Sequence, residues 1–191
     1  MTVMKIRIWP DDALAEVATP VDSFGDETQK LVDDMFETMY KAHGVGLAAT
    51  QVAVAKRIVV IDLDPSGDAS PEYQAELDEW GFQGPVTLIN PEIIERDGAI
   101  SWSEGCLSLP GVTETIKRKG TVTVRALDRE GNPFEHQAAG LYAVALQHEI
   151  DHLDGKLFVD YLSRLKRDVI RRKMLKMKDL YDNDGVAAAN D

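Results

Sequence analysis

The chain has 191 residues, 44% of them apolar, a net charge of -12 and a single cysteine. That length and apolar fraction suit one domain with its own core, and the lone Cys106 excludes an internal disulfide framework. No apolar run reaches the length of a membrane span, and Met1-Thr2-Val3-Met4-Lys5 lacks the basic-then-apolar layout of a signal peptide. A soluble cytoplasmic protein is expected.

The charge is unevenly spread. Between Tyr161 and Leu180 eight basic residues stand against two acidic ones, so that segment is +6 and the remainder carries -18. An acidic body with one basic segment excludes a general nucleic-acid binder and leaves a single patch that could dock on something anionic.

In chain order, Ile6 to Trp9 reads as a short strand, followed by a turn at Pro10-Asp11-Asp12 that caps a short helix ending at Pro20. A longer helix starts at Asp26, where Leu31, Met35 and Met39 recur at helical spacing. It should stop near His43-Gly44, with the glycine as left-handed cap. Gly44-Val45-Gly46 lets backbone approach a ligand or another strand closely, but it lacks the preceding strand and third glycine of a dinucleotide fingerprint. Arg57 to Leu63 is a β-branched strand. Asp64 to Pro85 is polar and proline- and glycine-punctuated. It reads as a surface excursion with a helical turn at Glu72 to Trp80, pinned by Trp80 and Phe82. Val86 to Ile94 is a strand with a proline break, Ala99 to Trp102 begins another, and Gly120 to Leu127 alternates as a strand whose hairpin partner is Phe134 to Gln137. His136 reads as a surface or strand-face histidine without a partner in sequence. An amphipathic helix follows from about 162 to 180, with Leu162, Leu165, Val169, Leu175 and Leu180 as its apolar face and basic residues elsewhere. Residues 182–191 read as an acidic, disordered tail.

The chemistry concentrates in Gln147-His148-Glu149-Ile150-Asp151-His152, whose core is H-E-x-x-H. Residues four apart share a helix face, so His148 and His152 can hold one metal ion, while Glu149 lands beside it as a general base. The apolar run Ala139 to Leu146 would bury this helix. Two histidines leave a metal short of protein ligands. Cys106, in Glu104-Gly105-Cys106-Leu107-Ser108-Leu109-Pro110, is a suitable third whose thiolate leaves a coordination position open. Taken alone, each part has a plainer reading: a satisfied core histidine, a small buried hydrophobe, a solvated basic face.

Three segments coincide: GVGLAATQ at 44–51, EGCLSLP at 104–110 and QHEIDHLDG at 147–155. In this order and at these separations they resemble the three signature motifs of peptide deformylases. The resemblance covers nearly the whole chain, including IRIWPDDAL, LINPEI, VRALD and KLFVDYLSRLKR, and the end resembles the bacterial type with a long C-terminal helix. It implies an α+β fold, with antiparallel or mixed strands wrapped around the central HExxH helix and an N-terminal and a C-terminal helix outside. It also implies one divalent metal on Cys106, His148 and His152, usually Fe(II), with Zn(II), Ni(II) or Co(II) able to substitute, and a bound water as nucleophile. The implied substrate is an N-formylmethionyl peptide, from which formate is released. Glu149 would serve as general base and acid, and Gln51 with the Leu107 N–H as oxyanion donors. Gly44, Val45, Gly46, Glu104, Gly105, Val144 and Ala145 would form the substrate-binding set, with Glu104 also orienting the ligands. The basic helix would hold the enzyme near the ribosomal exit; no membrane and no sequence-specific nucleic acid is implied.

Thr113, Ala15 and the long 64–85 segment depart from the family pattern, away from the ligands and Glu149. Two other classes stay open on the residues alone. An HExxH metallopeptidase would need neither Gln51 nor Cys106, and a metal-stabilised docking module would need neither Glu149 nor Gln51.

Overall fold

The computed structural model describes the backbone of residues 1–184 and side chains through Lys178. Five strands, β1 (Gly46–Ala48), β2 (Ile58–Ile61), β3 (Val86–Asp97), β6 (Thr121–Leu127) and β7 (Pro133–Ala139), form one sheet in the order β1-β2-β3-β6-β7. Strands β4 (Ile100–Gly105) and β5 (Thr113–Arg118) form a separate two-stranded hairpin. Every pairing between these strands is antiparallel. The helices are α1 (Asp26–Lys41), α2 (Pro71–Glu79), α3 (Gly140–Leu153) and α4 (Arg164–Asp184).

The composition of β2 follows from its position. Successive side chains leave a strand on opposite faces, and both faces of this sheet are covered. Val59 and Ile61 join the cluster around α3 with Ala143, Leu146, Ile150 and Leu153. Ile58 and Val60 join Val32, Met35 and Met39 of α1 on the other side. A uniformly apolar strand is the consequence. Helix α3 is buried on almost every side, with one face of the sheet packed against it.

Helix α1 ends as expected, with one exchange of roles. His43 takes the left-handed conformation, at φ 54°, and Gly44 follows it. The N–H of Gly44 donates to Met39 and that of His43 to Tyr40, the paired bonds of a Schellman cap. The proline break in β3 is a bulge. Asn90 lies at φ 53° and the register with β6 shifts between Ile89 and Glu92, so Pro91, which has no N–H to donate, sits where the ladder is interrupted. Beyond it β3 runs on to Asp97, three residues past the expected end.

Other expectations are corrected. Ile6 to Trp9 joins no sheet; Arg7 N–H bonds the Gln51 carbonyl and Trp9 N–H the Ser108 carbonyl, so this segment laces two site-bearing stretches together. The 64–85 segment is more than a surface excursion. Ser70 caps α2 through the Tyr73 N–H, Pro71 occupies its first turn, and Leu77 and Phe82 are buried in the central cluster. Strand β5 is absent from the sequence reading, because its one large apolar residue, Ile116, gives too little periodicity.

The buried face of α4 is also rotated from the expected one. Ile170 and Met174 are buried against Leu109, Val112, Ile116 and Phe158, whereas Leu165, Val169 and Leu175 are 75%, 53% and 42% exposed. Both sets have helical spacing, and the position of the β4–β5 hairpin decides between them. Of the 182–191 tail, 182–184 belong to α4 and the rest lies outside the described residues. If Ile170 and Met174 anchor α4, Met174→Ala lowers unfolding stability by about 2–5 kcal/mol. Denaturant titration checks this, and a loss below about 0.5 kcal/mol would show that the helix does not depend on that face.

Candidate active site

Two elements converge on one point. Helix α3 supplies His148 and His152 one turn apart, and the loop after β4 supplies Cys106. Their three donor atoms lie within 4.8 Å of one another, with the Cys106 sulfur 3.2 Å from His152 Nε2. A thiolate and two imidazoles at this spacing fit a divalent transition metal and leave a ligand position open. His152 is 1% exposed, so its approach to Cys106 is made in the interior.

His148 is aimed by a buried chain of charges. Its Nδ1 lies 2.8 Å from Glu104 Oε2 on β4, which leaves the other ring nitrogen for the donor cluster. Glu104 is gripped by Arg118 of β5 through two bonds, Nε to Oε1 at 2.7 Å and Nη2 to Oε2 at 3.0 Å. The same guanidinium bonds Asp151 of α3, which also accepts from the Tyr161 hydroxyl at 2.9 Å, and the Tyr161 ring packs 4.8 Å from the guanidinium carbon. Both Glu104 and Arg118 are almost fully buried.

These surroundings set the protonation pattern. Burial pushes Glu104 up, but hydrogen bonds from Arg118 and His148 outweigh it and hold the carboxylate below its ordinary range. Burial pulls His148 down, yet bonds to Cys106 and Glu104 carry it well above an ordinary imidazole. His152 is pushed well below by burial and then by the His148 charge. Burial raises Glu149 to about 7 against the pull of the His148 charge. Glu149 Oε2 is buried with no hydrogen-bond partner, an expensive arrangement unless something in the site uses it.

The first signature segment closes the other side. Gln51 lies on a one-turn helix, Ala49–Val52, where its Oε1 accepts from the Ala48 N–H at 2.8 Å. That bond turns its amide nitrogen toward the site, 3.5 Å from Cys106 Sγ and 3.2 Å from Ser108 Oγ. The glycines serve side chains of this chain. A Cβ at Gly46 would stand 2.5 Å from Glu149 Oε1, and one at Gly44 would stand 2.7 Å from Leu107 Cδ1. Only glycine lets β1 pass so close to the carboxylate.

A cleft of about 280 Å³ opens onto these groups. It brings together Gly44, Val45, Gly46, Gln51, Glu104, Gly105, Cys106, Leu107, Val144, Ala145, His148 and Glu149. His152 lies beneath it. The cleft also takes in Trp102 and Leu141, which the sequence reading did not single out. The signals were available: Trp102 is two residues before Glu104 on a strand, and Leu141 is three before Val144 on a helix. Arg118 and Tyr161 gave no such signal, because only folding brings them to Glu104 and Asp151. Thr113 pairs with Gly105 at the cleft edge and is exposed. His136 is on the strand face expected, although it has a partner in the Tyr142 hydroxyl at 2.9 Å.

A converging Cys/His/His donor set beside a buried carboxylate, at the floor of a cleft, has the architecture of a hydrolytic centre. A family model described as polypeptide deformylase matches residues 3–168. A peptide deformylase from Alkalilimnicola ehrlichii is 53% identical over 177 residues, covering 93% of this chain and 92% of that protein. Among solved structures, a peptide deformylase from Legionella pneumophila superposes with a TM-score of 0.82 at 45% identity, covering 95% of this chain and 98% of the other. One from Ehrlichia chaffeensis in complex with actinonin gives 0.83 at 39% identity over 93% and 99%. The chain belongs to the polypeptide deformylase family and is a hydrolase.

The Arg118 cluster carries a prediction. Arg118→Ala leaves the Glu104 carboxylate buried without its main counter-charge, which costs about 3–5 kcal/mol of stability. It also loosens His148, for a fall in metal affinity of about 10- to 100-fold. Competition against a chromophoric chelator measures the second effect, and wild-type affinity in a folded variant would remove Arg118 from the site.

Proposed function

We propose that this chain removes the formyl group from N-formylmethionyl peptides through a metal-dependent hydrolysis in which Glu149 moves the proton. The observation that carries the reading is the unpartnered buried oxygen of Glu149 beside the Cys106/His148/His152 cluster, in the wall of the same cleft. Residues 1–191 act in this reading as one deformylase unit, working in the cytoplasm on nascent chains.

Cys106, His148 and His152 would hold the ion. Fe(II) is the first choice and Zn(II), Ni(II) or Co(II) the substitutes, since this donor set does not select among them. When bound, such an ion supplies Lewis-acid activation of a water and of the formyl oxygen. The protein does the rest. Backbone at Gly44 to Gly46 and at Gly105 lines the extended substrate, and the methionine side chain enters the apolar part of the cleft beside Val45, Val144 and Ala145. Glu149, whose buried Oε2 has no hydrogen-bond partner in the protein, accepts the proton of the attacking water. The Gln51 amide and the Leu107 N–H donate to the oxygen that gains negative charge. Glu149 then passes its proton to the nitrogen as the C–N bond breaks, leaving formate and a free amino terminus.

Anaerobically prepared protein should release formate from formyl-Met-Ala-Ser, lose this activity to a chelator and regain it with Fe(II) or Ni(II). Glu149→Gln should retain metal and fold and lose about 10²- to 10⁴-fold in rate. A metal-loaded Glu149→Gln enzyme with wild-type turnover would end the general-base assignment.

Helix α4 supports a second contact, with the ribosome. Part of its charge is engaged by the body, through Lys166 with Glu114, Arg167 with Asp160 and Lys173 with the Gly111 carbonyl. Arg164, Arg171 and Lys176 remain exposed. A double change of Arg171 and Lys176 to glutamate should weaken co-sedimentation with ribosomes and flatten its salt dependence while peptide turnover persists. Unchanged co-sedimentation would restrict α4 to a structural role.

A further inference from the structure

We infer that Trp80, carried on the 64–85 segment, is a positioning and specificity-determining residue that fixes one wall of the substrate cleft from behind. This rests on the reading of the cleft as the formyl-peptide site. The wall in question holds Trp102 of β4 and Leu141 at the start of α3, both of which line the cleft.

The segment leaves the sheet after β2 and returns to it at β3. Its helix α2 presents Leu77 to the core, and Tyr73 ties it down by donating its hydroxyl proton to the Leu63 carbonyl at 2.9 Å. The Tyr73 ring meets Trp80 edge to face at 6.2 Å. Trp80 then meets Trp102 edge to face at 6.3 Å, with ring planes 89° apart. The indole of Trp80 therefore stands between the segment and the cleft wall.

Its second contact is with the start of the metal helix. The Trp80 carbonyl accepts the N–H of Ala139, the residue immediately before α3, at 3.0 Å. Gly140, the first residue of α3, lies at φ 52°, and a Cβ there would stand 2.1 Å from the Trp80 Nε1 atom. Gly81 is equally confined, since a Cβ there would stand 2.5 Å from the Gln137 carbonyl oxygen of β7. Gly140 thus clears space for the indole and Gly81 for the β7 backbone beside it, and Leu141 follows directly from Gly140. The indole contacts the Trp102 side chain and the backbone that sets Leu141. It has no place among the cleft-lining residues, so its influence on substrate passes through those two.

Removing the indole gives Trp102 and Leu141 room to retreat. The consequence should appear in substrate selection rather than in the chemical step, because His148 and Cys106 are held by the separate Glu104–Arg118 and Gln51 contacts. The experiment uses full-length, metal-loaded Trp80→Ala, Trp80→Leu and Trp80→Phe proteins on formyl-Met-, formyl-norleucyl- and formyl-Phe-Ala-Ser peptides. Trp80→Ala should raise KM for the formyl-Met peptide about tenfold, leave kcat within about twofold and shift the Phe-to-Met ratio of kcat/KM by at least about threefold toward Phe. Trp80→Phe, which keeps an aromatic edge against Trp102, should restore most of the wild-type ratio. Should the alanine variant not fold, Trp80→Leu is expected to show the same shift in smaller degree. If the wild type turns over all three peptides and no folded variant changes the ratio, Trp80 is structural only and the inference falls. A wild type inert toward every formyl peptide would instead overturn the functional reading, and this inference with it.

Discussion

Every polar side chain on a helix buried all round must find its partner inside the protein, and α3 is such a helix. Gln147, His148, Glu149 and His152 are all nearly inaccessible. The fold answers this demand by bringing the β4–β5 hairpin down onto the helix. Gln147 clasps the backbone of Lys119, accepting from its N–H and donating to its carbonyl, both at 3.0 Å. His148 meets Glu104, and Asp151 meets Arg118. Thr50, from the first signature segment, donates to the His152 carbonyl at 3.1 Å. The two segments that supply Cys106 and Gln51 are placed by the same bonds that satisfy the helix.

On α3 that arrangement leaves two buried side-chain atoms without partners, Glu149 Oε2 and His152 Nδ1, on the residues next to or within the Cys106/His148/His152 cluster, while Gln147 and Asp151 are spent on structure. A buried charge held by several partners contributes position more than stability, since its desolvation cost largely offsets its attraction. The Glu104–Arg118 pair is best understood in that way. It ties two strands and a helix at one carboxylate and fixes the direction in which His148 points.

The peripheral elements act on the same centre. Helix α4 reaches the hairpin through Ile170 and Met174, so the basic surface rests on the element that carries Glu104. The N-terminal stretch joins Gln51 and Ser108 through backbone bonds. The 64–85 segment reaches the back of the cleft wall through the contact of Trp80 with Trp102, and the core through Phe82, which meets Tyr142 of α3 edge to face at 5.4 Å. A segment that reads as polar surface in sequence is thus a brace between the sheet and helix α3.

The sequence by itself determined what depends on near neighbours: helix α3 with its two histidines on one face, the glycine-relieved approach at 44–46, strands β2 and β6 and the span of α1. The three motifs in register also carried the family, and most cleft residues with it. Tertiary structure decided what depends on distant ones. Hairpin β4–β5 has one strand too weakly patterned to be read, and its placement alone selected Ile170 and Met174 over Leu165 and Val169 as the buried face of α4. The Arg118–Glu104–His148 chain and the Trp80–Trp102 contact join residues 14 to 44 positions apart in the first case and 22 in the second. Periodicity reports which face of a single element is apolar, but it carries no record of which charged or aromatic side chain will meet another once the elements are packed.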